Sequence, residues 1–121
     1  MQLAGQTILV LEDDFLQADE IVRVISLSGA QVVGPCPSID GCMMHLSSMY
    51  ISAAVVDINI GAGPSFEIPR ELARRSIPFI FLTGYDRTVV PQEFFAVKSL
   101  EKPADEDQLV SALVSILSIA V

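Results

Sequence analysis

Glu12, Asp13, Asp57, Thr83 and Lys102 are the residues whose types and positions could do chemistry together. Each stands at or just past the end of a short apolar run, where a buried strand would close. Three carboxylates brought to one point repel strongly, and persist either by sharing protons or by holding a cation. All the donors are oxygens, with no Cys or His in the pattern, and that set prefers Mg²⁺ with waters completing an octahedron. An ammonium (Lys102) and a hydroxyl (Thr83) beside such a cluster would clamp a phosphoryl group. Asp57 would then attack in line and become an acyl phosphate, its charge neutralised by Mg²⁺ and Lys102, while Thr83 donates to a phosphoryl oxygen. Plainer readings stand beside these. Asp57 also fits a structural cap at a strand end, and Glu12-Asp13-Asp14 also fits the acidic start of a helix.

The elements that must position these residues follow from hydrophobic period. Ala53-Ala54-Val55-Val56-Asp57 is a continuous small or branched run closed by Gly61, Ala62, Gly63 and Pro64, which reads as a strand buried on both faces. Thr7–Leu11 is an equivalent first strand. From Phe15 to Ser28, Leu16, Ile21, Val24, Ile25 and Leu27 recur at helical period and Gly29 stops the helix. Residues 30–33 predict a shorter strand broken by Gly34-Pro35-Cys36-Pro37. Ser38 is the expected N-cap of a helix reaching about Tyr50. Ser65 would cap another helix to about Arg75, with Pro69 tolerated near its first turn. Strands are predicted at 77–82 and 96–100. Between them only Gln92-Glu93-Phe94-Phe95 looks helical. Asp105 opens a last helix to about Ser118.

Five strands alternating with roughly five helices predict an α/β fold with a mostly parallel sheet covered on both faces. With strand order 2-1-3-4-5, the chain reverses between the first and third strands. The crevice there lies between Glu12-Asp13 and Asp57.

At 121 residues the chain suits one domain, 1–121, with no room for an output domain. A net charge of -8 argues against binding nucleic acid or an anionic membrane surface. Cys36 and Cys42 suggest a reduced compartment rather than a disulfide framework. No secretory signal or spanning run is evident, and a cytoplasmic protein is the expectation.

Ile8-Leu9-Val10-Leu11-Glu12-Asp13-Asp14, Val55-Val56-Asp57, Leu82-Thr83-Gly84 and Lys102-Pro103, in this order at the ends of alternate strands, resemble a response-regulator receiver domain over essentially the whole chain. The resemblance implies a flavodoxin-like doubly wound (βα)5 sandwich with a five-stranded parallel sheet. It implies Asp57 as phosphoacceptor and Asp13 as a direct Mg²⁺ ligand. Glu12 would act on the ion through water, the backbone carbonyl of Asn59 would complete the site, and Thr83 and Lys102 would contact the phosphoryl group. It also implies a cis Lys102-Pro103 bond. Pro78-Phe79-Ile80-Phe81-Leu82-Thr83-Gly84-Tyr85 is similar to the PFxFATGY motif of stand-alone alphaproteobacterial receivers, with Leu82 in place of the usual Ala. Receivers carry an aromatic switch residue three positions before the lysine. Ser99 stands there, so Tyr85 is the substitute switch candidate.

The function expected from this reading is that of a single-domain response regulator in a two-component phosphorelay. It would take its phosphoryl group from a histidine kinase or phosphotransfer protein and catalyse only its own phosphorylation and dephosphorylation. A phosphate sink and a non-phosphorylated interaction module are the alternatives. A small aspartate-dependent phosphohydrolase is disfavoured because Asn59, rather than an acid, follows Asp57 by two residues. The final helix, from Leu109 on, carries no charge and only a thin stripe of Ser111, Ser115 and Ser118. Exposed apolar area of this kind marks an interface, so Leu113 and Leu117 are expected to pack on a second copy or a kinase.

Overall fold

The computed structural model describes residues 1–60, 63–84 and 89–119. In chain order they form β1 (Thr7–Leu11), α1 (Phe15–Leu27), β2 (Gln31–Cys36), α2 (Ile39–Ser48), β3 (Ala53–Val56), β4 (Asn59–Ile60), β5 (Gly63–Pro64) and α3 (Glu67–Arg74). β6 (Phe79–Thr83), a 3-10 turn at Gln92–Phe94, β7 (Ser99–Glu101) and α4 (Glu106–Ile119) follow. The five long strands make one sheet in the order β2-β1-β3-β6-β7, every neighbouring pair parallel. Counting only those five, this is the expected order 2-1-3-4-5. β4 and β5 form a small antiparallel hairpin beyond β3.

Strand alternation divides the core into two layers, because successive side chains point to opposite faces of a sheet. Leu9, Leu11, Ala54, Val56, Phe79 and Phe81 face Cys42 and Leu46 of α2 and Ile68 and Leu72 of α3. Ile8, Val10, Ala53, Val55, Ile80 and Leu82 face Ile21, Val24 and Ile25 of α1 and Leu109, Val110 and Leu113 of α4. β3 sits at the centre with all four residues buried, as its unbroken apolar run requires. Each large side chain so buried contributes roughly 1.5–3 kcal/mol over leaving it in water.

Several expectations are corrected. Leu113 is fully buried in the layer under α4, and Leu117 is partly buried against the same layer. The outward stripe is the serines Ser111, Ser115 and Ser118, all exposed. The helix therefore turns Leu113 into the core, where it offers no interface, while Leu117 lies half-buried at the edge of the same layer. β2 does not break at Gly34 but continues to Cys36 through a cis Gly34-Pro35 bond, with its register on β1 shifted between Leu9 and Leu11. Gly34 has φ +104, and a Cβ there would lie 2.8 Å from the Val10 carbonyl oxygen, so only glycine fits. β7 starts at Ser99, three residues late, because Val97 N–H closes a turn onto Phe94 O at 3.0 Å. Leu16 and Leu27 are exposed, and Ala18 takes the buried position beside Ile21, Val24 and Ile25. α3 starts after Phe66 without a side-chain cap. Ser65, expected to cap it, donates its own N–H to Ile58 O at 2.7 Å instead.

Ser38 caps α2 as expected, accepting from Gly41 N–H at 3.2 Å. Between β6 and β7, where the sequence predicts helix over Gln92–Phe95, the described residues form a 3-10 turn at Gln92–Phe94. Its Phe94 sits against Phe66, Phe79 and Phe81, with ring centroids 6.0, 6.0 and 5.9 Å away. Arg70 of α3 reaches Glu93 at 2.7 Å. No helix among the described residues is long and apolar enough to cross a membrane.

Candidate phosphoryl and metal site

The carboxyl ends of β1, β3, β6 and β7 converge at one edge of the sheet because all four strands are parallel and in near register. Glu12 follows β1 and is 2% exposed. Its N–H donates to Cys36 O at 3.1 Å, so the end of β2 holds its backbone. Its Oε2 accepts from Asp14 N–H at 3.2 Å. Asp14 in turn caps α1 by accepting from Gln17 N–H at 3.1 Å, the helix-start role. Asp57 follows β3 and is 4% exposed. Its N–H donates to Leu11 O at 3.0 Å, tying it to β1 beside Glu12.

Lys102 closes the cluster from the other side. Its Nζ lies 2.5 Å from Glu12 Oε1 and 2.7 Å from Asp57 Oδ2. Its own N–H donates to Thr83 O at 3.1 Å, continuing the β6–β7 ladder. The Lys102-Pro103 bond is cis, as expected. Asp57 Oδ1 accepts from Asn59 N–H at 2.9 Å. Thr83, the last residue of β6, is 3% exposed.

Oxygen atoms of Glu12, Asp13 and Asp57 lie within 4.8 Å of one another, two of the residues buried and Asp13 exposed. Three carboxylates face one ammonium, so the cluster carries surplus negative charge. Burial, with help from Asp57, holds the Glu12 carboxyl above its ordinary value despite the Lys102 contact. Burial alone would lower Lys102, but its hydrogen bonds to Asp57 and Glu12 outweigh that and keep the ammonium charged. An all-oxygen, partly open set with excess negative charge fits a hard divalent cation such as Mg²⁺.

A cavity of about 310 Å³ opens over Asp57, lined by Gln17, Asn59, Gly84 and Lys102 as well. A second, about 380 Å³, adjoins it between α1 and α4 and shares Gln17 and Lys102. The structure thus brings Glu12, Asp13, Asp57 and Lys102 together and places Thr83 and Asn59 beside them. Tyr85 lies outside the described residues. The sequence reading missed Gln17, whose place in the first turn of α1, three residues past the cap, was its only signal. It also missed the Lys102–Glu12 contact, which no spacing along the chain encodes.

No protein-family model matches the chain. It is 33% identical over 102 residues to the regulatory protein VirG of Rhizobium rhizogenes, covering 79% of this chain and 42% of VirG. The chain therefore spans less than half the length of that relative. The solution structure of SdrG from Sphingomonas melonis Fr1 is similar with TM-score 0.80 at 30% identity, covering 97% of this chain and 99% of SdrG. A response regulator receiver protein from Sinorhizobium medicae WSM419 shares the fold with TM-score 0.81 at 19% identity, over 96% and 97% of the two chains.

Proposed function

The chain belongs to the response-regulator receiver domains of two-component systems, and we propose that it accepts a phosphoryl group on Asp57 from a histidine kinase or phosphotransfer protein and signals through protein contacts. The motif Pro78–Tyr85 further suggests the PFxFATGY subgroup.

The observation that carries the reading is the half-buried ammonium of Lys102 held against Asp57 and Glu12, 2.7 and 2.5 Å away. A structural strand-end cap needs no cation placed there. In the transfer, an Asp57 carboxylate oxygen attacks the phosphorus of the donor's phosphohistidine. The new O–P bond forms as the P–N bond breaks, and the electron pair leaves with the imidazole. Asn59 N–H, on Oδ1, fixes the carboxylate's rotation. Lys102 moves from the carboxylate pair to a phosphoryl oxygen, and the Thr83 hydroxyl donates to another. Asp13, Asp57, the Asn59 carbonyl and, through water, Glu12 would hold Mg²⁺, which supplies positive charge for the phosphoryl oxygens.

The test is direct. The protein is incubated with Mg²⁺ and a small acyl-phosphate donor, and its intact mass is measured. One added phosphoryl group, absent in Asp57→Asn, is expected. An unchanged mass under every donor, or modification that persists in Asp57→Asn, rejects the reading.

A further inference from the structure

We propose that Gln17 orients the water that hydrolyses the aspartyl phosphate, and so sets how long the phosphorylated state lasts. The inference rests on Asp57 being the phosphoacceptor. Gln17 lies on the wall shared by the two cavities, facing Asp57 and Lys102 in one and opening towards the α1–α4 groove in the other. Its backbone is fixed, since its N–H is held by the Asp14 cap at 3.1 Å. Its side-chain amide makes no hydrogen bond among the described residues. The other walls are occupied differently. Asp57 and Lys102 are engaged with each other, Gly84 has no side chain, and Asn59 sits beside Asp57 with its N–H on Asp57 Oδ1.

A primary amide suits the task. Its carbonyl oxygen accepts a hydrogen bond from the water while its NH2 donates one to a phosphoryl oxygen. It is uncharged, so it neither repels the dianion nor competes with Lys102 for it. In hydrolysis the water oxygen bonds to phosphorus and the P–O bond to Asp57 breaks. Inorganic phosphate and the Asp57 carboxylate are the products, and the water's proton leaves with the phosphate or to solvent. Gln17 supplies position only. The same division of labour holds where a glutamine orients the attacking water in nucleotide hydrolysis.

The experiment compares wild type, Gln17→Ala, Gln17→Leu and, as a surface control on the same turn, Leu16→Ala. Each is loaded with a small acyl-phosphate donor and Mg²⁺, the donor is removed, and loss of the phosphoryl group is followed by intact mass. Binding of beryllofluoride with Mg²⁺ is measured in parallel. Both Gln17 variants are expected to lose the group roughly tenfold more slowly, the size of one lost positioning contact. Loading and beryllofluoride affinity should stay within about twofold of wild type, which a general distortion of the site would not allow. Leu16→Ala should decay like wild type. Decay at the wild-type rate or faster in Gln17→Ala and Gln17→Leu overturns the role of Gln17 alone. Equal losses in decay, loading and beryllofluoride binding overturn it as well. A wild type that never loads on Asp57 overturns this inference and the reading beneath it together.

Discussion

Lys102 Nζ sits 2.7 Å from Asp57 Oδ2, although the two residues are 45 positions apart and on different strand ends. The ammonium also holds Glu12, so it is the sole described cation against two buried carboxylates. Removing it with Lys102→Met leaves those carboxylates facing each other in a site of low exposure. Breaking one side of such a cluster destabilises by roughly 3–5 kcal/mol. Protonating a carboxylate relieves the repulsion, so the deficit should be small near pH 5 and grow towards pH 8. Urea unfolding in metal-free buffer measures it. A deficit that does not change with pH contradicts this account of the cluster.

Glu12→Gln should act in the opposite direction. The folded state raises the Glu12 carboxyl above its ordinary 4.5. Its contribution is therefore fully present below that value and declines as pH rises through the folded one. Replacing it with an amide removes the decline. The variant should match wild type below about pH 4.5 and exceed it in stability at pH 7–8 without metal. Lower stability of the variant at pH 8 would mean that the Lys102 contact outweighs burial. The same substitution should weaken the proposed Mg²⁺ site, which metal titration would read as a higher dissociation constant.

Mg²⁺ should stabilise the folded chain through Glu12, Asp13 and Asp57, with no phosphoryl donor present. A ligand at a hundred times its dissociation constant adds about 2.7 kcal/mol. Asp13→Asn keeps size and exposure but removes one carboxylate charge. Its Mg²⁺-dependent rise in Tm should be much smaller than that of wild type. An equal rise in both proteins places the ion elsewhere.

Much of this was legible in the residues. β3 announced itself because four successive apolar side chains satisfy a strand buried on both faces and suit few other short elements. Glu12, Asp57, Thr83 and Lys102 were readable because parallel strands bring their carboxyl ends to one edge. What escaped depends on contacts distant in sequence. β2 crosses Gly34-Pro35 because the Val10 carbonyl leaves room only for glycine, a constraint set by the neighbouring strand. α4 looked like an interface because its stretch from Leu109 on carries no charge, yet Leu109, Val110, Ala112 and Leu113 meet a sheet face that covers them. Of the helix expected over Gln92–Phe95, the described residues form a 3-10 turn at Gln92–Phe94, with Phe94 packed on Phe66, Phe79 and Phe81 in the same core layer.

That correction makes its own prediction. Leu113→Ala removes a fully buried side chain and should cost about 2–5 kcal/mol in urea unfolding. Ser115→Ala, on the exposed stripe, should stay within about 0.5 kcal/mol. Neither should change the oligomeric state seen by light scattering. A soluble, fully stable Leu113→Ala would show that α4 is not seated as described.

The turn at Gln92–Phe94 is anchored unequally. The Arg70–Glu93 pair is exposed on both sides, and such pairs contribute little. Phe94, by contrast, is buried among three other rings. A long amphipathic helix shares its attachment among many side chains and detaches as a unit. Here two buried side chains, Val90 and Phe94, bear most of it. The segment thus behaves as a latch with two adjacent catches, and the depth of their shared hydrophobic socket sets the work needed to release it.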